Sequence, residues 1–103
     1  EGHADPQTYQ DIFDAVQTVG GAEHPHRCRI RTIGGYHIVD LDIEVDGSLS
    51  VREAHRIAQQ TEKRIRAAVH NVYDVIVHVE PIGNVEDRER YGLSQRKLDA
   101  HLQ

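Results

Sequence analysis

Apolar residues recur along this chain with two periods, and the switches between them mark out five elements. Tyr9, Ile12, Phe13, Val16 and Val19 fall at helical spacing. Asp5 stands where an N-cap belongs, Pro6 takes the first helical position that proline favours, and Gly20-Gly21 ends the run. From about Arg27 to Ile33 the period drops to two, with Cys28 and Ile30 on one side and Arg27, Arg29 and Arg31 on the other. Gly34-Gly35 predicts a tight hairpin turn into a second alternating run, HIVDLDIEV, whose Val39, Leu41, Ile43 and Val45 share a face. Ser50 and Glu53 match a capping box, with Leu49 placed to staple onto Ala54. The stripe Val51, Ala54, Ile57, Ala58, Thr61, Ile65 and Ala68 predicts a long second helix that ends near His70-Asn71. A third strand runs from about Tyr73 to Glu80 and stops at Pro81, which lacks the N–H to continue a ladder.

The order helix, strand, strand, helix, strand implies an α+β domain. A hairpin makes the first two strands antiparallel, and a crossover through the second helix makes the third parallel to the second. Both helices then cover the apolar face of a three-stranded mixed sheet, because only they carry matching apolar stripes. This α-β-β-α-β arrangement is expected over residues 1–84. Residues 85–103 read as a charged tail containing an amphipathic helix, with Tyr91, Leu93, Leu98 and Leu102 as sparse apolar anchors.

The other face of the sheet carries the chemistry. Residues two apart in a strand project together, so Asp40 pairs with Asp42, and His78 with Glu80, opposite the valine rows. Carboxylates and an imidazole on one solvated face suggest a cation site. A blander reading is available for the aspartates, since Arg27, Arg29 and Arg31 stand across the hairpin from them. Cys28 reads as a small buried hydrophobe, and His37 as a strand-end or interface residue. His3, His70 and His101 sit at termini or helix ends and carry no site.

Composition narrows the function. Seventeen acidic against twelve basic residues in 103 give a formal charge of -5, which disfavours nucleic-acid binding. One cysteine excludes an internal disulfide and a Cys-x-x-Cys metal site, and cytosol is the default compartment. The apolar runs are strand-sized, too short to span a bilayer, and no targeting peptide is visible. No Gly-rich phosphate loop or nucleophile elbow occurs, so no enzymatic activity is expected.

The R-x-R strand, the passage SLSVREAH at the second helix and VIVHVEP in the third strand resemble the cytoplasmic C-terminal domain of cation diffusion facilitator transporters, over about Gln7 to Ile82. The resemblance implies a ferredoxin-like, metallochaperone-like fold and a homodimeric regulatory domain on the cytoplasmic face of a membrane, covalently linked to a membrane transport domain, whose dimer tightens when it binds a divalent cation. It implies ligands at His26, at Asp42 or Asp40, at His55 in the second helix, where ligation across the dimer is one option, and at His78 and Glu80. Carboxylates at Asp42 and Glu80 depart from the family's pattern and harden the site, which brings iron(II) or manganese beside zinc as the metal. The expected mechanism is electrostatic: Asp40, Asp42 and Glu80 of two chains repel across a cleft until a cation bridges them. The alternative is a domain of the same fold that dimerises without metal.

Overall fold

A computed structural model describes residues 4–83 and 92–102. Its elements run α1 (Pro6–Gln17), β1 (Glu23–Ile33), β2 (Tyr36–Val45), α2 (Val51–Ala68), β3 (Val72–Pro81) and α3 (Gln95–Leu102). The expectations placed on His3, Val85 and Tyr91, and on the side chains of His101 and Leu102, fall outside what is described.

Local chemistry explains the helix starts. Asp5 accepts the Thr8 N–H at 2.9 Å as N-cap of α1, ahead of Pro6. Ser50 accepts the Glu53 N–H at 3.1 Å while Glu53 accepts the Ser50 N–H at 3.3 Å, closing the capping box of α2. Each such cap contributes about 1 kcal/mol. Between β1 and β2, Gly34 and Gly35 have φ of 58° and 84° and join the paired residues Ile33 and Tyr36. Left-handed φ at both turn positions matches the right-handed strand twist, and only glycine adopts it freely.

The sheet has the order β1-β2-β3, with β1 antiparallel and β3 parallel to the central β2. Val39, Leu41, Ile43 and Val45 of β2, Cys28 and Ile30 of β1 and Val75 of β3 are buried on one face. Ile12, Phe13 and Val16 of α1 and Ile65 of α2 complete that core. Fully burying each such side chain contributes roughly 1.5–3 kcal/mol. The stripe expected along α2 is buried only at Thr61 and Ile65; Val51 is 86% exposed and Ala68 is also outside. A helix over a three-stranded sheet reaches past the sheet at both ends, so its terminal turns find nothing to cover.

The C-terminal segment closes against the same core. Cys28 and Leu93 exchange backbone hydrogen bonds of 2.9 and 2.7 Å, adding a short bridge to the outer edge of β1. Leu98 of α3 is 1% exposed, and Gln95 and Gln10 of α1 hydrogen-bond reciprocally at 2.8 and 2.9 Å.

Candidate metal centre on the open sheet face

The helices cover one face, and the other presents a row of carboxylates down the central strand. Asp40, Asp42 and Glu44 follow each other with period two, as strand geometry requires. On the β3 side Asp42 stands beside His78 and Glu44 beside Glu80. On the β1 side Asp42 stands beside His26 and Asp40 beside Arg29.

Two irregularities in β1 decide what faces this row. From Glu23 to His26, and again from His26 to Arg29, a step of three residues in β1 matches a step of two in β2. Each is a bulge carrying one extra residue, a device that re-aims side chains. His24 and Arg27 have left-handed φ of 46° and 48°, costly for residues with a Cβ. Counting back from Arg29 along a regular strand, Asp42 would face Arg27 and His26 would point at the helices. The bulge instead delivers both side chains to the same carboxylate. Gly92 lies against this spot, where a Cβ would come within 2.5 Å of the Arg27 carbonyl carbon.

The contacts are close and mostly shielded. Arg27 donates from Nε and Nη2 to Asp42 Oδ2 at 2.7 and 2.6 Å, and from Nη2 to Glu80 Oε2 at 3.3 Å. His26 donates its Nδ1 proton to the His24 carbonyl at 2.7 Å, which turns Nε2 toward Glu80 Oε1 at 3.1 Å and Asp42 Oδ2 at 3.8 Å. The His26 side chain is 1% exposed, Asp42 4% and Glu80 15%. Further along, His78 Nε2 lies 3.5 Å from Asp40 Oδ1, and Arg29 Nη2 lies 3.6 Å from Asp40 Oδ2. At the opposite end, His24 donates from Nδ1 to Glu44 Oε2 at 2.8 Å and stacks on His26 with ring centroids 4.5 Å apart. Burial pushes the Glu44 carboxyl up, but hydrogen bonds from His24 and the Gly83 N–H, with the nearby imidazoles, outweigh it and hold the group below its ordinary value.

Among the residues expected as ligands, the structure brings His26, Asp42 and Glu80 together, with ligand atoms within 4.8 Å of one another. Asp40 and His78 pair with each other beside that group. His55 is exposed in the helical layer and belongs to neither His/carboxylate group among the described residues. The carboxylates expected to repel each already meet an arginine of their own chain, Asp42 and Glu80 through Arg27 and Asp40 through Arg29. His24, Glu44 and Arg27 join the site without having been singled out as ligands. Glu44 was legible as the next step of the Asp40-Asp42 row and Arg27 as its neighbour across the hairpin, whereas the bulges that turn in His24 and His26 fall in a run without glycine. Cys28 is fully buried on the core side, its thiol pushed up to about 12 by burial first and then by the charge of Asp40, which makes it a poor metal ligand. His37 bonds Thr32 Oγ1 at 2.9 Å near the hairpin.

Residues 4–82 match the family model described as "Cation efflux protein, cytoplasmic domain". The chain belongs to that family. Among solved structures it resembles the metal-bound C-terminal domain of the CzcD transporter from Thermotoga maritima, at 40% identity and a TM-score of 0.73, covering 78% of this chain and 93% of that one. Among curated proteins it is 37% identical over 75 residues to the uncharacterized transporter YdbO of Bacillus subtilis, covering 70% of this chain and 26% of that protein. It is 27% identical over 84 residues to the cation-efflux pump FieF of Pectobacterium atrosepticum, covering 82% of this chain and 28% of that protein. The chain thus spans about a quarter of the length of these curated relatives. Among the described residues no helix is long and apolar enough to cross a membrane.

Proposed function

We propose that this chain is the regulatory, dimerising cytosolic domain of a divalent-cation efflux transporter, and that it acts by binding the cation on the open face of its sheet rather than by catalysing a reaction. The observation that carries this reading is the convergence of His26, Asp42 and Glu80 on one shielded spot. One imidazole with two carboxylates is a borderline-to-hard donor set, suited to iron(II), manganese or zinc. The metal-bound state of the CzcD domain and the pump named among the relatives support the same reading. In the whole protein this domain is joined to a membrane transport domain and works as a homodimer.

The mechanism is an exchange of cations. In a single chain Arg27 neutralises Asp42 and Glu80 from within. His26, Asp42 and Glu80 would hold a divalent ion in place of the Arg27 guanidinium; Asp40 and His78 lie beside the group, and His55 would serve only from a partner chain. The ion shifts an equilibrium between dimer forms by its differential affinity for them, typically about 1–3 kcal/mol.

A second reading has its own observation. Arg27 and Arg29 satisfy Asp40, Asp42 and Glu80 with no ion at all. A domain of this kind dimerises without metal. Calorimetric titration of chelator-stripped protein with Zn²⁺, Mn²⁺ and anaerobic Fe²⁺, beside Glu80→Gln and His26→Ala, separates the two, with light scattering for oligomeric state. Saturable binding that both variants weaken supports the cation reading. A dimer that persists with no binding leaves the scaffold.

A further inference from the structure

We propose that His24, His26 and Glu44 form a cation site of their own, one position along β1 and β2 from the Asp42/Glu80 pair, and that this is the site a divalent first-row metal ion fills first. The inference rests on the reading that this domain binds cations, and adds where the ion goes.

The geometry is that of an open three-ligand set. One atom from each of the three side chains lies within 4.8 Å of the others. His24 Nδ1 and Glu44 Oε2 are 2.8 Å apart, joined by a single proton. Metal–ligand bonds of about 2.0–2.2 Å hold neighbouring ligand atoms roughly 3.3 Å apart in a tetrahedral shell. An ion therefore replaces that proton with a displacement of a few tenths of an ångström at the His24–Glu44 pair, and the His26 ring, whose Nε2 faces Glu80, turns to complete the set. His24 and His26 stack within 15° of parallel with centroids 4.5 Å apart, so one ring tilts out of the stack for both in-plane lone pairs to reach one ion.

Burial grades the set in a useful way. Glu44 is 7% exposed and His26 1%, whereas the His24 side chain is 57% exposed. The ion meets a solvent-facing imidazole first and a shielded imidazole and carboxylate behind it, where charge interactions are stronger. The Gly83 N–H donates to Glu44 Oε1 at 3.3 Å and fixes the carboxylate, so Oε2 is the oxygen presented to His24.

Charge favours this set over its neighbour. The Arg27 guanidinium lies directly on Asp42 and Glu80, so an ion there must first displace a cation from shielded carboxylates. Glu44 is held by a neutral-or-protonated imidazole and a backbone N–H, neither of which is a permanent charge. His26 stands between the two groups and belongs to both. The strained backbone lies in the same place: among the described residues three non-glycines have left-handed φ, and two of them, His24 and Arg27, flank His26. One of those bulges carries His24, and the other turns His26 onto the carboxylate face beside Arg27. Two imidazoles and one carboxylate select zinc, iron(II), cobalt(II) or manganese over magnesium and calcium, which prefer oxygen alone.

The test is Zn²⁺ titration of the full 103-residue chain by calorimetry, with His24→Ala, Glu44→Gln and Glu80→Gln beside the parent. Circular dichroism confirms folding; His24→Ala alters an exposed side chain and Glu44→Gln keeps the shape of a buried one. Nitrogen-15 spectra of the imidazoles, recorded with and without Zn²⁺, report which rings ligate. The expected result is at least tenfold weaker binding in His24→Ala and Glu44→Gln, with a smaller change in Glu80→Gln and a Zn²⁺-dependent shift of the His24 ring. Parent-like binding in His24→Ala and Glu44→Gln, with loss in Glu80→Gln, overturns the inference and leaves the cation on Asp42 and Glu80. Absence of any saturable binding in the parent overturns the cation reading itself, and this inference with it.

Discussion

Arg27 holds Asp42 through two nitrogens on one oxygen, at 2.6 and 2.7 Å, so the most buried carboxylate of the open face is neutralised by its own chain. The pair sets the cost of every other arrangement there. Replacing Arg27 by Gln leaves Asp42 shielded and short of its partner, which is expected to destabilise the metal-free domain by about 1–3 kcal/mol. The same change vacates the Asp42/Glu80 side for an ion. Thermal unfolding of the variant should therefore start lower than the parent and rise further on adding Zn²⁺ or Mn²⁺. An equal or smaller metal-induced rise would show that the guanidinium does not compete with cations.

Acid should loosen the opposite end of the row. Glu44 in the folded chain ionises below its ordinary value of 4.5. Its interactions therefore stabilise the fold at pH above that ordinary value, and the stabilisation disappears as pH falls through the lower folded value. Urea unfolding of parent and Glu44→Gln at pH 7 and near pH 3.5 should show a gap in stability that shrinks at the acid end. A gap that stays constant would assign the effect of Glu44 to shape rather than charge.

Cys28 should behave as core. With its thiol raised to about 12 and no exposed surface, it is almost wholly protonated near pH 8 and out of reach of reagents. Alkylation by iodoacetamide is expected to follow global unfolding, accelerating with denaturant in step with loss of circular dichroism. Rapid alkylation in native buffer would mean that the Leu93 bridge over β1 opens readily.

The C-terminal segment should stabilise the strand that carries the site. Leu98→Ala removes a fully buried side chain, a change that costs about 2–5 kcal/mol in a core. Gly92→Ala meets both a left-handed φ of 81° and a Cβ position 2.5 Å from the Arg27 backbone, so the segment must lift away from β1. Both variants are expected to lose hydrogen-exchange protection at the Cys28 and Leu93 amides before the rest of the sheet. Unchanged protection there would mean that the Cys28–Leu93 bridge holds without its anchors.

Much of this was legible in the sequence. The caps at Asp5 and Ser50, the Gly34-Gly35 turn and the alternation in HIVDLDIEV are local signals, and they fixed the element order, the sheet and the face on which Asp40, Asp42, His78 and Glu80 stand. The pairing of Arg27 and Arg29 with those aspartates also followed from alternation, whereas Arg31, included in the same expectation, stands beside Ile38. The start of β1 did not follow: alternation marks the strand only from about Arg27, whereas it begins at Glu23. Its ladder there is held by long-range pairing with β2 that a local window does not contain. The same stretch hid His24 and the double role of Arg27, because a bulge carried by non-glycine residues is a tertiary decision that overrides local preference. Val51 and Ala68 failed as core for a related reason, since a helical stripe records what a helix offers and not how far its partner sheet extends.

The extra residue at Arg27 decides whether this face carries its own cation. Deleting that one residue returns this part of β1 to a regular ladder, keeps His26 opposite Asp42, and takes the guanidinium away in the same step. Inserting it does the reverse. In this strand the loss of one residue removes the internal cation and still leaves His26 facing Asp42, which a shortening of β1 achieves without touching the carboxylates.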